Sequence, residues 1–320
     1  MGAQKKKVLI SGASGFIGRN LFETLSQRDD LEVYGVYRSR TFRDDPRLIQ
    51  ADLTQRKDVE RVTQGFDVLI QAAANTSGAK DVIERPYIHV TDNLIMNALL
   101  YQAAYDHHIP QVIFFSCTTM YPSSDRPLKE TDVDLNAEIY KAYFGVGWMK
   151  VYVEKLCEFY SRLGRSKFTV IRHSNIYGPY DKYDLERSHV FGATMTKVMT
   201  AKDKIVVWGE GKEVRDLLHV DDLVRFVILA LDTQEASFDL CNVGLGQGIS
   251  IAALVQKMVL FSGRNIAVEY DTSKPTIPTT VVVDTTRARE HFGWSPSIGI
   301  DEGIQKTLAW YKQHGGEGLL

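Results

Sequence analysis

The chain has no apolar run long enough to span a bilayer, so a membrane-embedded protein is not expected. Its N-terminus lacks the long apolar segment and small-residue cleavage site of a signal peptide. Neither sign of charge is in excess. Lys and Arg number 38 against 40 Asp and Glu, a formal −2, and that balance leaves no electrostatic footprint for nucleic acid. The one basic run, Lys5-Lys6-Lys7, precedes the first apolar segment and reads as a solvated tail. Cysteine is scarce. Cys117, Cys157 and Cys241 are odd in number and lack metal-ligand spacing, so no metal is expected, and as reduced thiols they point to the cytoplasm. There is no internal repeat and no low-complexity segment. At 320 residues the chain can bury one large core or two coupled ones.

The most informative segment is Val8-Leu9-Ile10-Ser11-Gly12-Ala13-Ser14-Gly15-Phe16-Ile17-Gly18. A β-branched apolar run stops at one glycine, two more follow at steps of three, and a helical pattern begins. Gly12 suits a tight turn, Gly15 a close approach of backbone to pyrophosphate, and Gly18 a close helix–strand packing. The helix N-terminus then presents free amides to an anion. A bland glycine turn is the alternative, and the strand before and helix after argue against it.

Strand and helix patterns alternate through the first half. Strands are predicted at 8–11, 32–37, 47–51, 67–74, 112–115 and 168–172, with helices at 16–26, 90–107 and 149–163 and a helical turn at 59–64. This is the pattern of an α/β protein with a doubly wound parallel sheet. After Gly178-Pro179 loops lengthen, and Pro275, Pro278 and Pro296 punctuate the end. Residues 1–175 with 215–235 are expected to form a dinucleotide-binding domain. Residues 176–214 with 236–320 are expected to form a smaller substrate-binding α/β domain, while 216–231 reads as a strand-turn-helix returning to the sheet. The second strand ends Tyr37-Arg38-Ser39-Arg40 without an acid, which favours NADP(H) over NAD(H); a solvent-facing loop arginine is the alternative. Asp52, after the third strand, either reaches the adenine or caps the turn through Thr54.

Further segments carry a family resemblance. They are Ala72-Ala73-Ala74, Phe114-Phe115-Ser116 leading to Tyr121, Lys150 before Glu154-Lys155-Leu156, Asn175-Ile176-Tyr177-Gly178-Pro179, and Arg215-Asp216-Leu217-Leu218-His219-Val220-Asp221-Asp222. With the glycine motif, they make the chain resemble the extended short-chain dehydrogenase/reductases that act on nucleotide sugars. Ser188-His189-Val190 and Val207-Trp208-Gly209-Glu210-Gly211 are most similar to the GDP-L-fucose synthase subfamily. The resemblance implies a Rossmann fold, a nucleotide-sugar substrate bound by the smaller domain, NADPH-dependent reduction or epimerisation of a 4-keto sugar, and a homodimer built on the helices at 90–107 and 149–163. The assigned cofactor residues are Gly12, Ser14, Gly15, Phe16, Ile17, Gly18, Arg38, Asp52, Leu53, Ala72, Ala73, Ala74 and Lys150. For substrate it implies Asn175, Lys197, Trp208 and Arg215, the last by a guanidinium fork suited to phosphate.

The proton-transfer residues depart from the family pattern. The resemblance places a lysine at Lys150 and a tyrosine four residues earlier, where this chain has Val146. The family serine or threonine falls on Cys117, with Ser116 and Thr118 beside it. Three groups can take the missing part: Tyr143, seven residues before Lys150; Cys117, with its thiol activated by a nearby Lys150; and His189, which matches a family acid. Each has a structural alternative in packing. Val146 also motivates a second reading, that of a catalytically inert NAD(P)- or nucleotide-sugar-binding protein with a regulatory role.

Overall fold

Strands that are apolar toward both faces need cover on both faces, and the large sheet of this protein has it. The computed structural model describes residues 4–76, 79–185, 187–274 and 276–314, so Pro275 lies outside the described residues. In chain order, β1 (Lys6–Ser11) leads to α1 (Phe16–Leu25), β2 (Leu31–Tyr37), β3 (Leu48–Gln50), α2 (Arg56–Val62), β4 (Val68–Gln71) and α3 (Ala79–Glu84). There follow α4 (Thr91–Asp106), β5 (Gln111–Cys117), α5 (Phe144–Arg162), β6 (Lys167–His173), β7 (Asn175–Tyr177), α6 (Val190–Thr200), β8 (Lys204–Trp208) and β9 (Val214–His219). The chain continues through α7 (Val220–Thr233), β10 (Phe238–Val243), β11 (Gly248–Ser250), α8 (Ile251–Ser262), β12 (Ala267–Asp271), α9 (Thr286–Phe292) and α10 (Ile300–His314).

Seven strands form one parallel sheet in the order β10-β6-β5-β4-β1-β2-β3. The order reverses between β1 and β4, and the crevice beyond the carboxyl ends at such a point is where doubly wound sheets bind ligands. One face is covered by α1, α7 and α9, around Phe22, Leu218, Phe226 and Trp294. The other is covered by α2, α4 and α5, around Leu100, Tyr101, Phe114 and Phe168. A third core lies away from this sheet, where α6, α8 and α10 enclose Phe191, Met195, Leu254, Met258 and Leu308. Its strands form a three-stranded sheet, β11-β9-β7, and the pair β12-β8.

Two boundaries expected from sequence are corrected. Residues 236–320 do not all belong to the smaller unit, because β10 pairs with β6 along its length and forms the edge of the large sheet. Within 215–235, β9 is not a strand of the large sheet: it pairs with β7 and β11, and only its Leu218 joins α7 in the core against that sheet. The basic run is not all tail, since Lys6 and Lys7 already lie in β1. Strand β4 is shorter than 67–74 and leaves the three alanines in the loop beyond it.

The segment Arg215–Asp222 rivets the two sheets together. Buried Asp216 accepts the amides of Leu245, Gly246 and Val283. Buried Asp222 accepts those of Ser297 and Ile298. His219 caps α7 by accepting from the Asp221 amide at 3.2 Å. Charge-assisted bonds of this kind replace the water each buried carboxylate gives up.

Candidate active site

Gly12 ends β1 with φ +70°, a conformation that favours glycine. A Cβ there would stand 2.6 Å from Ala73 Cα, so the turn lies directly on the alanine loop after β4. At Gly18 a Cβ would strike the Gly12 carbonyl, which is why α1 can start so close beneath the turn. Gly15 is the N-cap of α1. A Cβ on it would meet only the Gly12 oxygen, at 3.2 Å. No side chain caps α1 and no acid lies in its first turn. Its first-turn amides are therefore open to an anion. A dinucleotide pyrophosphate fits this cradle. Ser14, Phe16 and Ile17 are half-buried around it, Ala72 and Ala73 are half-buried opposite, and Ala74 is exposed.

Beside β2 and β3, Arg38 is exposed and stands 3.5 Å from Asp52. Asp52 also accepts from the Thr54 amide at 3.0 Å and from its hydroxyl at 2.7 Å. Hydrogen bonds from Thr54, then the Arg38 charge, hold the Asp52 carboxyl below its usual range against a desolvation cost. Asp52 thus caps its turn and also points a charge at the arginine. Leu53 packs into the core on the α2 side.

Across the sheet ends, Lys150 reaches from α5 and donates to the Phe115 carbonyl at 2.7 Å, with its ammonium 4.7 Å from the Phe114 ring. Burial lowers its pKa, opposed by Cys117 and Glu154. Cys117 Sγ lies 3.1 Å from the Thr119 hydroxyl. Tyr143 is the N-cap residue of α5, because this helix starts at Phe144 and not near 149. Burial raises its phenol, the Arg215 guanidinium lowers it, and Cys117 raises it. The turn before α5 therefore brings Tyr143 to the neighbourhood of Cys117 and Arg215. Val146, one turn on, is packed with the apolar side chains between α4 and α5 and offers no proton.

Ser116 is not available as a substitute for Cys117. It is fully buried and donates to Glu154 at 2.5 Å. Glu154 in turn binds Arg172 through both oxygens, at 3.0 and 2.6 Å, in a pair closed to solvent. Thr118, half-exposed on the other side, has a hydroxyl without a hydrogen-bond partner among the described residues.

At the substrate end, His189 occupies the N-cap position of α6 without a side-chain cap bond, its Nε2 3.3 Å from the Thr76 hydroxyl, while Lys182 donates to the Thr76 carbonyl at 2.6 Å. A cavity of about 610 Å³ opens beside them, lined by Ala74, Asn75, Thr76, Tyr87, Lys182 and Arg187. Asn175 donates to the Asp216 carbonyl at 3.2 Å. Arg215 donates to the carbonyls of Val214, Ile277 and Thr279, so its fork holds the segment near 277–279 as well as facing Tyr143. Lys197 donates to the Val206 carbonyl at 2.7 Å and lies 5.9 Å from the ring of half-exposed Trp208. These last two form a separate pair on α6 and β8.

The sequence reading missed His173, at the carboxyl end of β6, and the Asn75–Thr76 and Lys182 cluster. A single histidine after an apolar strand carries no spacing signal. Among the described residues no group of three His, Cys, Asp or Glu side chains is placed to hold a metal ion. No helix there is long and apolar enough to cross a membrane.

A family model described as the NAD dependent epimerase/dehydratase family matches residues 8–244. GDP-L-colitose synthase of Yersinia pseudotuberculosis is 28% identical, covering 95% of this chain and 97% of that protein. GDP-L-fucose synthase of Escherichia coli strain K12 is 26% identical, covering 97% and 98%. Among solved structures, UDP-glucose 4-epimerase from Thermotoga maritima has a TM-score of 0.83 at 23% identity, covering 96% of this chain and 99% of that one. A GDP-6-OMe-4-keto-L-xylo-heptose reductase from C. jejuni has a TM-score of 0.84 at 20% identity, covering 98% and 100%. These two structures share the fold.

Proposed function

Because this chain belongs to the NAD dependent epimerase/dehydratase family, we propose that it reduces or epimerises a 4-keto sugar carried on a nucleoside diphosphate, with a nicotinamide dinucleotide and an atypical proton donor. When bound, the nicotinamide supplies or accepts a hydride. The observation that carries the reading is the conjunction of an uncapped glycine cradle with Lys150 at the far end of the same crevice. The cradle's amides bind the pyrophosphate. Lys150, already directed at the Phe115 carbonyl, exchanges or shares that acceptor with the ribose hydroxyls and fixes the ring orientation. Thr118 offers a free hydroxyl to the sugar oxygen. Arg215 and Asn175 face the diphosphate, with Lys197 and Trp208 at the nucleotide side. Arg38 favours a 2′-phosphate, which makes NADP(H) the preferred carrier; Asp52 competes for the same guanidinium.

Calorimetry with NADPH and NADH, followed by turnover of a panel of GDP-, UDP- and dTDP-linked 4-keto sugars, tests this reading. Binding of NADPH about tenfold tighter than NADH is the expected result, with turnover of at least one sugar. No heat with either carrier sinks the reading. Binding without turnover favours the inert regulatory protein, whose supporting observation is a half-buried Val146, packed against apolar side chains, where a proton donor is expected.

We also propose a homodimer. Tyr152 and Phe159 stand exposed along α5, Leu163 at its C-cap, and Ile95 on its neighbour α4. Large apolar side chains repeated along one helix side suit a helix-on-helix interface. Light scattering is expected to give twice the chain mass, and the pair Tyr152→Glu with Phe159→Glu to give the single mass. A monomeric wild type excludes the dimer.

A further inference from the structure

The proposed reaction needs a group that exchanges a proton with the sugar oxygen, and the site contains an imidazole that the sequence motifs do not single out. His173 is the last residue of β6, in register with Cys117 on β5 and Val243 on β10. It therefore sits at the carboxyl edge of the sheet, one strand from the thiol and in the crevice where doubly wound sheets take ligands. Its ring lies 6.2 Å from the Phe115 ring, and Lys150 holds the Phe115 carbonyl. His173 and Lys150 thus converge on one residue from two directions.

The orientation of the ring is fixed. Nδ1 lies 2.7 Å from the Ser174 carbonyl, which can only accept. Nδ1 must carry the hydrogen, and in the neutral ring Nε2 keeps the lone pair. The side chain is only half-buried, so it is not sealed into the core. Burial foremost, then the Lys150 ammonium and His189, push its pKa down to about 4, against the Ser174 carbonyl. At neutral pH the ring is neutral. The groups facing it are Lys150 from α5, Cys117 from β5 and His189 from the start of α6.

We infer that His173, through Nε2, is the acid–base catalyst of this chain, doing what Val146 cannot. This rests on the nucleotide-sugar reading above. In the oxidising direction, neutral Nε2 would take the proton of the sugar hydroxyl, and a bound nicotinamide would accept the hydride from the same carbon as C–O becomes C=O. In the reducing direction, for which a bound nicotinamide would supply the hydride, the small fraction of His173 that solvent protonates would pass its Nε2 proton to the sugar oxygen. The imidazolium is then a strong donor, because Lys150 stands beside it. Solvent restores the proton.

The experiment compares the wild type with His173→Asn, whose amide can keep the Ser174 bond. The first readout is the nitrogen resonance of His173 Nε2 in labelled protein. It is expected to shift when NADPH is added, and to titrate well below pH 6 in its absence. The second is turnover with the best sugar of the panel. His173→Asn is expected to bind NADPH within about threefold of the wild type and to lose about 100- to 10,000-fold in kcat with little change in KM. A Nε2 resonance that NADPH leaves unmoved overturns the assignment. So does a His173→Asn variant that retains more than about a tenth of wild-type kcat, and this outcome leaves the nucleotide-sugar reading intact. A wild type inert toward the whole panel overturns that reading itself.

Discussion

Lys150→Met is expected to lose turnover by about 100- to 10,000-fold, the range for removing a positioned polar group from a proton- or hydride-transfer site, and to weaken dinucleotide binding by about tenfold. Its stability is expected to stay within about 1 kcal/mol of the wild type. Burial depresses the ammonium's pKa, so the cost of its charge offsets part of what its bond to the Phe115 carbonyl returns. Methionine fills similar volume without charge. Urea unfolding and steady-state kinetics on the same preparation measure both sides. Full turnover in this variant would remove the proposed reaction, because no other cation among the described residues donates to the Phe115 carbonyl.

Glu154→Ala is expected to have the opposite signature, with a loss of about 3–5 kcal/mol in unfolding free energy, the cost of leaving one partner of a buried ion pair alone. Arg172 and Glu154 are nearly closed to solvent, and the same carboxylate accepts from Ser116. Truncation leaves the Arg172 charge without its carboxylate and the Ser116 hydroxyl without its acceptor, while Arg172 keeps the Tyr121 hydroxyl and the Glu130 carbonyl. The double change Glu154→Leu with Arg172→Met is expected to recover most of the loss, since it removes both charges. Equal stability of Glu154→Ala and wild type would mean that water enters the space and hydrates Arg172.

Backbone constraints were the most legible part of the chain. The spacing of Gly12, Gly15 and Gly18 is a steric requirement, and the positions of Ala73 and the Gly12 carbonyl against two of them show why. The strands of the large sheet were also readable, because Val8–Ile10, Val68–Ile70 and Val112–Phe115 are buried on both faces and so are continuously apolar. Strand β10 was misplaced for the converse reason. It carries Asp239 and Asn242, whose partners, His291 for the first and Tyr121 and the Leu128 carbonyl for the second, come from distant segments. Ser116 looked available because its partner, Glu154, is 38 residues away in sequence. The start of α5 was set too late because Gly145 and Gly147 weaken local helix propensity, while packing of Gly147 against Ile139 permits the helix to begin there. His173 was invisible for lack of any pattern around it.

The path of the chain has a practical consequence. Having completed six strands of the large sheet, it leaves for the smaller unit, returns as α7 and β10, leaves as β11 and α8, returns as α9, and leaves again as α10. The smaller unit is therefore assembled from three stretches, 175–219, 248–271 and 300–314. No single cut releases it as a self-sufficient fragment, and a chimaera that borrows another protein's sugar pocket needs three grafts with five splice points.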